Sequence, residues 1–338
     1  MSSLEPGSTK QRGALYNVAA AIGPNFVIAI MFVLALFAVV ITYGGSIKWK
    51  EGPILISGGI TIGLLVLRTI WGLPSVLRRD PDAASELRRA LLRTLYDWGP
   101  LIIVMWMFES LEPYTGIIRK EVFDKQLYEL DLRVFGIEPT VWIGRFHHPL
   151  LTDWMSITYG LYFITPMVLA TILSIRGRRA DFTEMVTACV IQMGMGFITH
   201  LFVPAGPPRH YADLVNGGFS PPQLHSMTGL MELQQGAFDT ADPLRTHSAF
   251  PSLHCSLGLL TLLFARRYGD AVFTKHPKLF FRVVCVLVVS LWISTVYLRH
   301  HWIADCVAGW TLGATATLLA YQVRKHWPTA GDTLYPIK

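Results

Sequence analysis

Charged residues are scarce in this sequence. Asp, Glu, Lys and Arg make up 15% of the 338 residues, whereas 52% are hydrophobic and the mean hydropathy is +0.41. Soluble domains carry about 25% charged residues, so this composition excludes an ordinary soluble protein. Uncharged runs of about 16 to 25 residues recur along the chain and are long enough to cross a bilayer. The sequence therefore predicts an all-α integral membrane protein folded as one bundle.

The sequence also lacks the common metal-binding motifs. No H-E-x-x-H occurs, and the cysteines have no C-x-x-C spacing. The four cysteines lie in or beside apolar runs, at Cys189, Cys255, Cys285 and Cys306. No fixed-period repeat or low-complexity tract is present. The motifs thus give no reason to expect a metal ion or another cofactor.

Positive charge is confined to short segments. The net charge is +6 and the pI is near 9.2, but Arg and Lys cluster between apolar runs, which indicates membrane topology rather than nucleic-acid binding. Cytoplasmic loops carry excess Lys and Arg, so the basic segments 78–93, 176–179 and 266–282 and both termini are predicted to be cytoplasmic. We expect no nucleic-acid partner.

Hydropathy predicts about eight transmembrane helices. They cover residues 24–43, 53–71, 95–113, 153–175, 184–203, 248–266, 280–298 and 302–322. With both termini in the cytoplasm, the remaining segments meet on the opposite face, which is periplasmic, extracellular or lumenal. These segments are 114–152, 204–247 and the turn at 299–302.

Two of these segments have a pattern of their own. Apolar residues at helical spacing among charges in 119–136 predict an amphipathic helix, lying in the membrane interface or packed as a cap on the bundle. The Gly- and Pro-rich segment 204–247 is long enough to be a lid or a binding loop.

Three polar clusters are predicted to lie on this face. They comprise Arg209 with His210, then His247, Ser252 and His254, then Arg299, His300, His301 and Asp305. Ionisable residues inside membrane segments are costly and are commonly functional. We therefore interpret the three clusters as parts of one site.

The third cluster pairs a histidine with a carboxylate. His301 and Asp305 are four residues apart, so on a helix the carboxylate can bind one imidazole nitrogen and leave the other free as a nucleophile or base. His254 can supply the acid for a leaving oxygen. Arg209 and Arg299 offer planar, permanently charged donors for phosphate. This set suits phosphoryl transfer through a phosphohistidine.

Three further residues are weaker candidates. Ser252 precedes a predicted helix whose N-terminus favours anions, and His210 adjoins Arg209, so both are predicted to contact phosphate or substrate. His300 faces away from His301 on a helix and is predicted to act outside the reacting pair, so its substitution should cost less. Taken singly, His254 is equally compatible with a structural role or a proton relay.

Two other interpretations use the same residues. His254, His301 and Asp305 could ligate zinc with water as the fourth ligand, although the neighbouring arginines would repel a cation. A proton-coupled transporter could use them as a relay, but it predicts more ionisable groups at midspan, where Arg68 is the main candidate.

In this order, the clusters resemble the type 2 phosphatidic acid phosphatase superfamily of membrane lipid phosphatases and phosphotransferases. F-P-S-L-H at 250–254 matches its P-S-x-H motif, and the stretch 294–305 matches its S-R…H-x-x-x-D motif through Ser294, His301 and Asp305. Thr295 replaces the arginine expected after Ser294, and Arg209 alone represents the first, basic motif. These departures, together with segment 130–163, resemble the aureobasidin-resistance branch, the inositol phosphorylceramide synthases.

The resemblance implies a role for each catalytic candidate. His301 is then the nucleophile, Asp305 its orienting partner, and His254 the general acid and later the base. The donor is a phospholipid, phosphatidylinositol by resemblance, and the acceptor is a lipid alcohol such as ceramide. A lipid or polyprenyl phosphate phosphatase, with water as acceptor, is the alternative.

We divide the chain accordingly. Residues 1–115 hold about three membrane helices, residues 116–325 form the catalytic membrane domain with a six-helix core of the lipid-phosphatase type, and residues 326–338 form a cytoplasmic tail. The active site is expected on the periplasmic, extracellular or lumenal face.

Overall fold

A computed structural model describes residues 22–43, 63, 66, 69–70, 74, 82–111, 118–211, 224–239 and 247–327. Within these ranges the regular structure is helical, and one isolated parallel bridge joins Ala205 to Ser248. The predicted second span, 53–71, falls almost entirely outside the described residues. The same holds for most of the predicted tail, 326–338.

The described residues form twelve helices. They are α1 (Pro24–Thr42), α2 (Ala83–Leu111), α3 (Asp124–Phe135), α4 (Pro139–Gly144), α5 (Pro149–Gly160), α6 (Ile164–Ile175), α7 (Arg179–Phe202), α8 (Pro208–Tyr211), α9 (Leu230–Asp239), α10 (Leu253–Val272), α11 (Pro277–Tyr297) and α12 (Ile303–His326).

Four of these helices are long and apolar enough to cross a membrane: α1, α7, α11 and α12. The consecutive helices α5 and α6 qualify as a fifth span when taken together, although the axis bends by 46° between them. The described residues thus support an integral membrane protein with four or five spans. The predicted total of eight stays a prediction, since α10, for example, carries Arg266, Arg267 and Asp270 within its 20 residues.

Helix α7 lies at the centre of the bundle. Of its most apolar stretch 78% is buried, compared with 17% for α1, and it packs against α1, α2, α6, α10 and α12. A helix that is apolar on all sides is expected in the interior. Buried residues of α1, α2, α6, α7, α10, α11 and α12 form one continuous core.

Two glycines let α12 approach α10 closely. A methyl group at Gly309 would overlap the carbonyl oxygen of Ser252, and one at Gly313 would overlap that of Ser256. Small residues four apart allow helix backbones to come together in membranes. The contact fixes the start of α10 against the first turns of α12, where the sequence predicts catalytic residues.

Helix α3 is amphipathic, as predicted. Its orientation bears on whether it lies in the membrane interface or packs as a cap on the bundle. The side facing the protein carries Asp124, Leu127 and Asp131, whereas Val134 is 64% exposed and Phe135 50% exposed. Its outer side therefore carries apolar residues among charged ones, and its inner side is partly acidic. This arrangement suits a helix lying in the membrane interface better than an ordinary cap with a buried apolar face.

Charged residues from distant segments meet at one end of the bundle. Arg179 binds Asp97 through two hydrogen bonds of 2.8 and 2.7 Å. Arg324 lies 2.7 Å from Asp181 and 2.6 Å from Glu184. These pairs join the start of α7, the middle of α2 and the end of α12, so the segments predicted to share the cytoplasmic face do lie at the same end.

Candidate active site

The three polar clusters converge at the opposite end of the bundle, about 30 Å away along α12. His254 lies in the first turn of α10, His301 lies just before α12, and Asp305 lies in the first turn of α12. His301 Nε2 is 3.3 Å from His254 Nδ1. Its other nitrogen, Nδ1, is 3.4 Å from Asp305 Oδ2. The imidazole of His301 thus lies between the imidazole of His254 and the carboxylate of Asp305, and the proximity that the sequence predicts is present.

The carboxylate is held by the backbone around it. Asp305 is fully buried, and its Oδ2 accepts a hydrogen bond of 3.0 Å from Trp302 N–H. The same Oδ2 lies within ion-pair distance of His301 Nδ1. The carbonyl oxygen of Asp305 accepts from Ser252 N–H at 3.0 Å. The starts of α10 and α12 are therefore joined directly beneath the two histidines.

A stack of rings supports the site from α5. Tyr159 lies between His254 and His300, with both imidazole centroids 4.2 Å from its own and nearly parallel to it. Tyr162, in the bend between α5 and α6, contacts His254 with centroids 4.0 Å apart. Tyr159 and His300 are both buried. His300 thus stacks on the same tyrosine as His254.

His300 also contacts a candidate phosphate-binding residue. Its Nδ1 accepts a hydrogen bond from Arg209 Nη1. Burial lowers the pKa of His300 well below its usual value, and the Arg209 charge acts in the same direction, so the ring is neutral and can accept this bond. Arg209 N–H also donates to the carbonyl oxygen of Arg299 at 3.2 Å. The segment carrying Arg209 is therefore tied to the turn before α12.

The two predicted arginines have different surroundings. Arg209 is electrostatically coupled to Tyr159 and His300, which lie beside the catalytic pair. Arg299 is coupled instead to Glu138 and Tyr297, and its φ of 61° places it in the left-handed region. That conformation is costly for a residue with a side chain, and here it turns the chain from α11 toward α12.

Ser252 and His210 are the other two residues predicted to contact phosphate or substrate. Ser252 is buried, and its hydroxyl accepts from Cys255 N–H at 3.3 Å as the N-cap of α10. His210 lies on the short helix α8 and is electrostatically coupled to His300 and Asp124. Both are near the site, and phosphate contacts by either stay predictions.

Thr295 occupies the position of the missing arginine. It is fully buried, and its hydroxyl donates to the Trp292 carbonyl oxygen at 2.7 Å and lies 3.4 Å from Cys306 Sγ. This close packing leaves no room for a guanidinium. Positive charge at the site therefore has to come from other segments, and Arg209 has the most suitable neighbours.

Among the residues that the structure describes, no three His, Cys, Asp or Glu side chains are grouped so as to hold a metal ion.

Comparison with known proteins identifies the family. The family model of the PAP2 superfamily matches residues 125–320, which is more than half of the chain. The chain belongs to the PAP2 superfamily. The matched region of this PAP2 chain includes α4 to α11, nearly all of α3 and α12, and every candidate catalytic residue.

Two curated proteins resemble this PAP2 chain. It is 28% identical over 184 residues to the inositol phosphorylceramide synthase catalytic subunit AUR1 of Saccharomyces cerevisiae, covering 52% of this chain and 43% of that protein. It is 28% identical over 185 residues to the inositol phosphorylceramide synthase of Candida albicans, covering 52% and 37%. The chain thus spans less than half the length of either relative. No solved structure matches the chain.

Some residues of the site were not identified from the sequence. Tyr159 and Tyr162 lie in the segment that resembles the synthase branch and Asp131 lies in the predicted amphipathic helix, but no sequence pattern placed any of them at the site. The spacing of the two tyrosines, three residues apart in a predicted span, is a weak signal, since aromatic residues are common in such helices. The function of Asp131 has no local signal, because its partners lie more than 170 residues further along the chain.

Proposed function

We propose that this protein is a membrane lipid phosphotransferase that moves a phospholipid head group to a lipid alcohol through a phosphohistidine intermediate. The observation that carries the proposal is the position of His301, whose Nε2 faces His254 at 3.3 Å while its Nδ1 faces Asp305 at 3.4 Å. A nucleophile next to an acid–base group and an orienting carboxylate is the arrangement that covalent catalysis requires. Membership of the PAP2 superfamily supports lipid phosphates as the substrate class.

The first chemical step forms the covalent intermediate. His301 Nε2 attacks phosphorus, the bond from phosphorus to the diacylglycerol oxygen breaks, and His254 gives that oxygen a proton. The carboxylate of Asp305 stabilises the positive charge that develops on His301. Arg209 binds the phosphoryl oxygens, for which a planar guanidinium is well suited.

The second step transfers the head group. The acceptor hydroxyl attacks phosphorus, His254 takes the hydroxyl proton, and the bond between His301 and phosphorus breaks. We propose phosphatidylinositol as donor and ceramide as acceptor, because both similar curated proteins are inositol phosphorylceramide synthases. Water as acceptor would make the same residues a phosphatase.

The test uses the purified full-length chain in proteoliposomes. Phosphatidylinositol labelled in the head group is supplied with ceramide, diacylglycerol and phosphatidylglycerol, and the lipid and aqueous products are separated. We expect labelled inositol phosphorylceramide and stoichiometric diacylglycerol. Label appearing only in the aqueous phase would show transfer to water instead of to a lipid alcohol, and an unreacted mixture would contradict head-group transfer from phosphatidylinositol.

A histidine variant tests the mechanism in the same assay. His301→Ala should abolish turnover and should remove the label that remains on wild-type protein denatured at alkaline pH. The matched control is His276→Ala, which alters an exposed histidine at the opposite end of the bundle and should keep full activity. Normal turnover in His301→Ala would exclude the phosphohistidine mechanism.

A further inference from the structure

Asp131 is a buried acid on a helix that is mostly exposed. It is 2% exposed, and its two carboxylate oxygens accept hydrogen bonds from the first turn of α12. Oδ2 accepts from Ile303 N–H at 2.8 Å, and Oδ1 lies 3.3 Å from Ala304 N–H. The contact joins α3 to a segment more than 170 residues further along the chain.

The N–H groups that Asp131 binds are ones that a helix cannot satisfy itself. The first four N–H groups of an α-helix have no intrahelical acceptor. At the start of α12 the carboxylate of Asp305 accepts a hydrogen bond from Trp302 N–H. The carboxylate of Asp131 accepts hydrogen bonds from the N–H groups of Ile303 and Ala304. Two carboxylates therefore fix the turn that connects His301 to Asp305.

Asp124 makes an equivalent contact two turns earlier on α3. Its Oδ1 accepts from Gly206 N–H at 2.6 Å, and Phe123 N–H donates to the Pro204 carbonyl oxygen at 2.9 Å. Residues 204–206 lead directly into α8, which carries Arg209. The acidic side of α3 thus holds two separate backbone segments, one on each side of the site.

Trp302 connects these two segments. It is fully buried, its indole N–H donates to the Gly206 carbonyl oxygen at 3.1 Å, and its ring contacts Tyr128 of α3 and Tyr211 of α8. Movement of α3 would therefore displace both the turn of His301 and the segment of Arg209.

We propose that Asp131 is a positioning residue for the transfer reaction: by holding the first turn of α12, it sets the position of Asp305 and His301 relative to His254. Asp124 plays the corresponding part for the segment that carries Arg209. This inference rests on the proposed function. Small displacements of reacting groups lower rates strongly, by up to about 100-fold for 1 Å.

The surroundings of Asp131 bear on whether its carboxylate serves stability alone or also the reaction. Burial raises the pKa of Asp131 to about 6, against the effect of its backbone hydrogen bonds, and the charges of Glu138 and Asp305 act in the same direction as burial. The ionised form is therefore disfavoured in the fold, although the ionised form is the better double acceptor. A residue kept in such surroundings fits a catalytic requirement better than a stabilising one.

The experiment separates the kinetic constants. Asp131→Asn preserves the shape but replaces one acceptor oxygen with an NH₂ group that faces a backbone N–H. We expect kcat per folded molecule to fall at least about tenfold with KM within about twofold, as for an interaction that acts on the transition state. Asp124→Asn should instead raise KM about fivefold with kcat within about twofold, because it acts through Arg209 and donor binding.

The matched control is Glu129→Gln on the same helix. Glu129 is exposed and forms an ion pair of 3.8 Å with Lys125, so both constants should stay at wild-type values. Folded protein is quantified for each variant by size-exclusion chromatography in detergent. If Asp131→Asn gives no folded protein, Asp131→Glu, which keeps the charge on a longer side chain, should show the same loss of kcat at unchanged KM.

The outcomes distinguish this inference from the proposed function. Wild-type kcat in Asp131→Asn, or in Asp131→Glu where the first variant does not fold, overturns the inference if His301→Ala is inactive. Equal changes of kcat and KM in the Asp131 and Asp124 variants also overturn it, because they indicate a shared structural role. Activity in His301→Ala overturns the proposed function and this inference with it.

Discussion

The two ends of the helix bundle treat buried charge in opposite ways. At the end formed by Arg179, Asp97, Arg324 and Glu184, guanidinium groups bind carboxylates at 2.6 to 2.8 Å. At the histidine end, polar atoms are buried without a hydrogen-bond partner among the described residues. They include His254 Nε2 and Asp305 Oδ1.

This difference in pairing suggests that the arginine end serves stability and the histidine end serves the reaction. A buried polar atom without a partner costs about 1–3 kcal/mol, and such a cost persists where the atom serves a reaction. Paired charges at the other end connect α2, α7, α10 and α12 and contribute to holding the bundle together. We therefore expect substitutions at the histidine end to affect rate and those at the arginine end to affect stability.

The largest effect should come from Asp305→Asn. The amide cannot stabilise the positive charge on His301 and favours the wrong tautomer, so kcat should fall about 10³- to 10⁴-fold, as in related histidine–carboxylate pairs. Initial rates of head-group transfer measure the effect on catalysis, and thermal melting in detergent measures the effect on stability. A fall in the melting midpoint with unchanged kcat would reverse the assignment of this end.

An intermediate effect is expected from the ring stack. Tyr159→Leu removes the ring between His254 and His300, so kcat should fall about 10- to 100-fold through misplacement of His254. His300→Ala should cost less than His301→Ala, since His300 acts through Tyr159 and Arg209. Transfer rates of the three variants, compared at equal amounts of folded protein, test this order, and His300→Ala as inactive as His301→Ala would contradict it.

A smaller effect, on stability alone, is expected at the arginine end. Arg324→Met leaves the buried carboxylate of Glu184 with Arg267 at 2.6 Å and Tyr268 at 2.8 Å as its remaining partners. The thermal midpoint should fall by about 2–5 °C, with kcat per folded molecule unchanged. Loss of kcat at an unchanged midpoint would show that the two ends are not separate in function.

The smallest effect concerns pH and Asp131. Because burial raises its pKa to about 6 in the fold, the folded state binds a proton more tightly than the unfolded chain. The associated stability is fully present below about pH 4 and is lost as pH rises through about 6. Between these values the wild-type melting midpoint should therefore decline relative to that of Asp131→Asn. Parallel curves for the two proteins would show that Asp131 does not titrate in this range.

The proximity of His254, His301 and Asp305 was predictable, because most of its signals are local. His301 and Asp305 are four residues apart, and the alternation of basic loops was enough to place His254 near them. Tyr159 and Asp131 were not predictable, since their contacts join segments that are far apart in the chain and depend on how the helices pack. The apolar residues of 119–136 indicated a helix, but not that its acidic side would face the protein.

The total of eight spans stays a prediction, and for a physical reason. Helix α10 combines an apolar first half with Arg266, Arg267 and Asp270 near its end, so composition alone does not distinguish a span from a helix shielded by its neighbours. The number of spans stays at four or five among the described residues.

The close approach of α12 to α10 at Gly309 and Gly313 has a consequence for motion at the site. Helices this close cannot easily shift against each other, so we expect His254 and Asp305 to keep their spacing during turnover. Any adjustment of the site would then fall on its other contacts, such as the one between His254 and Tyr162 in the bend between α5 and α6.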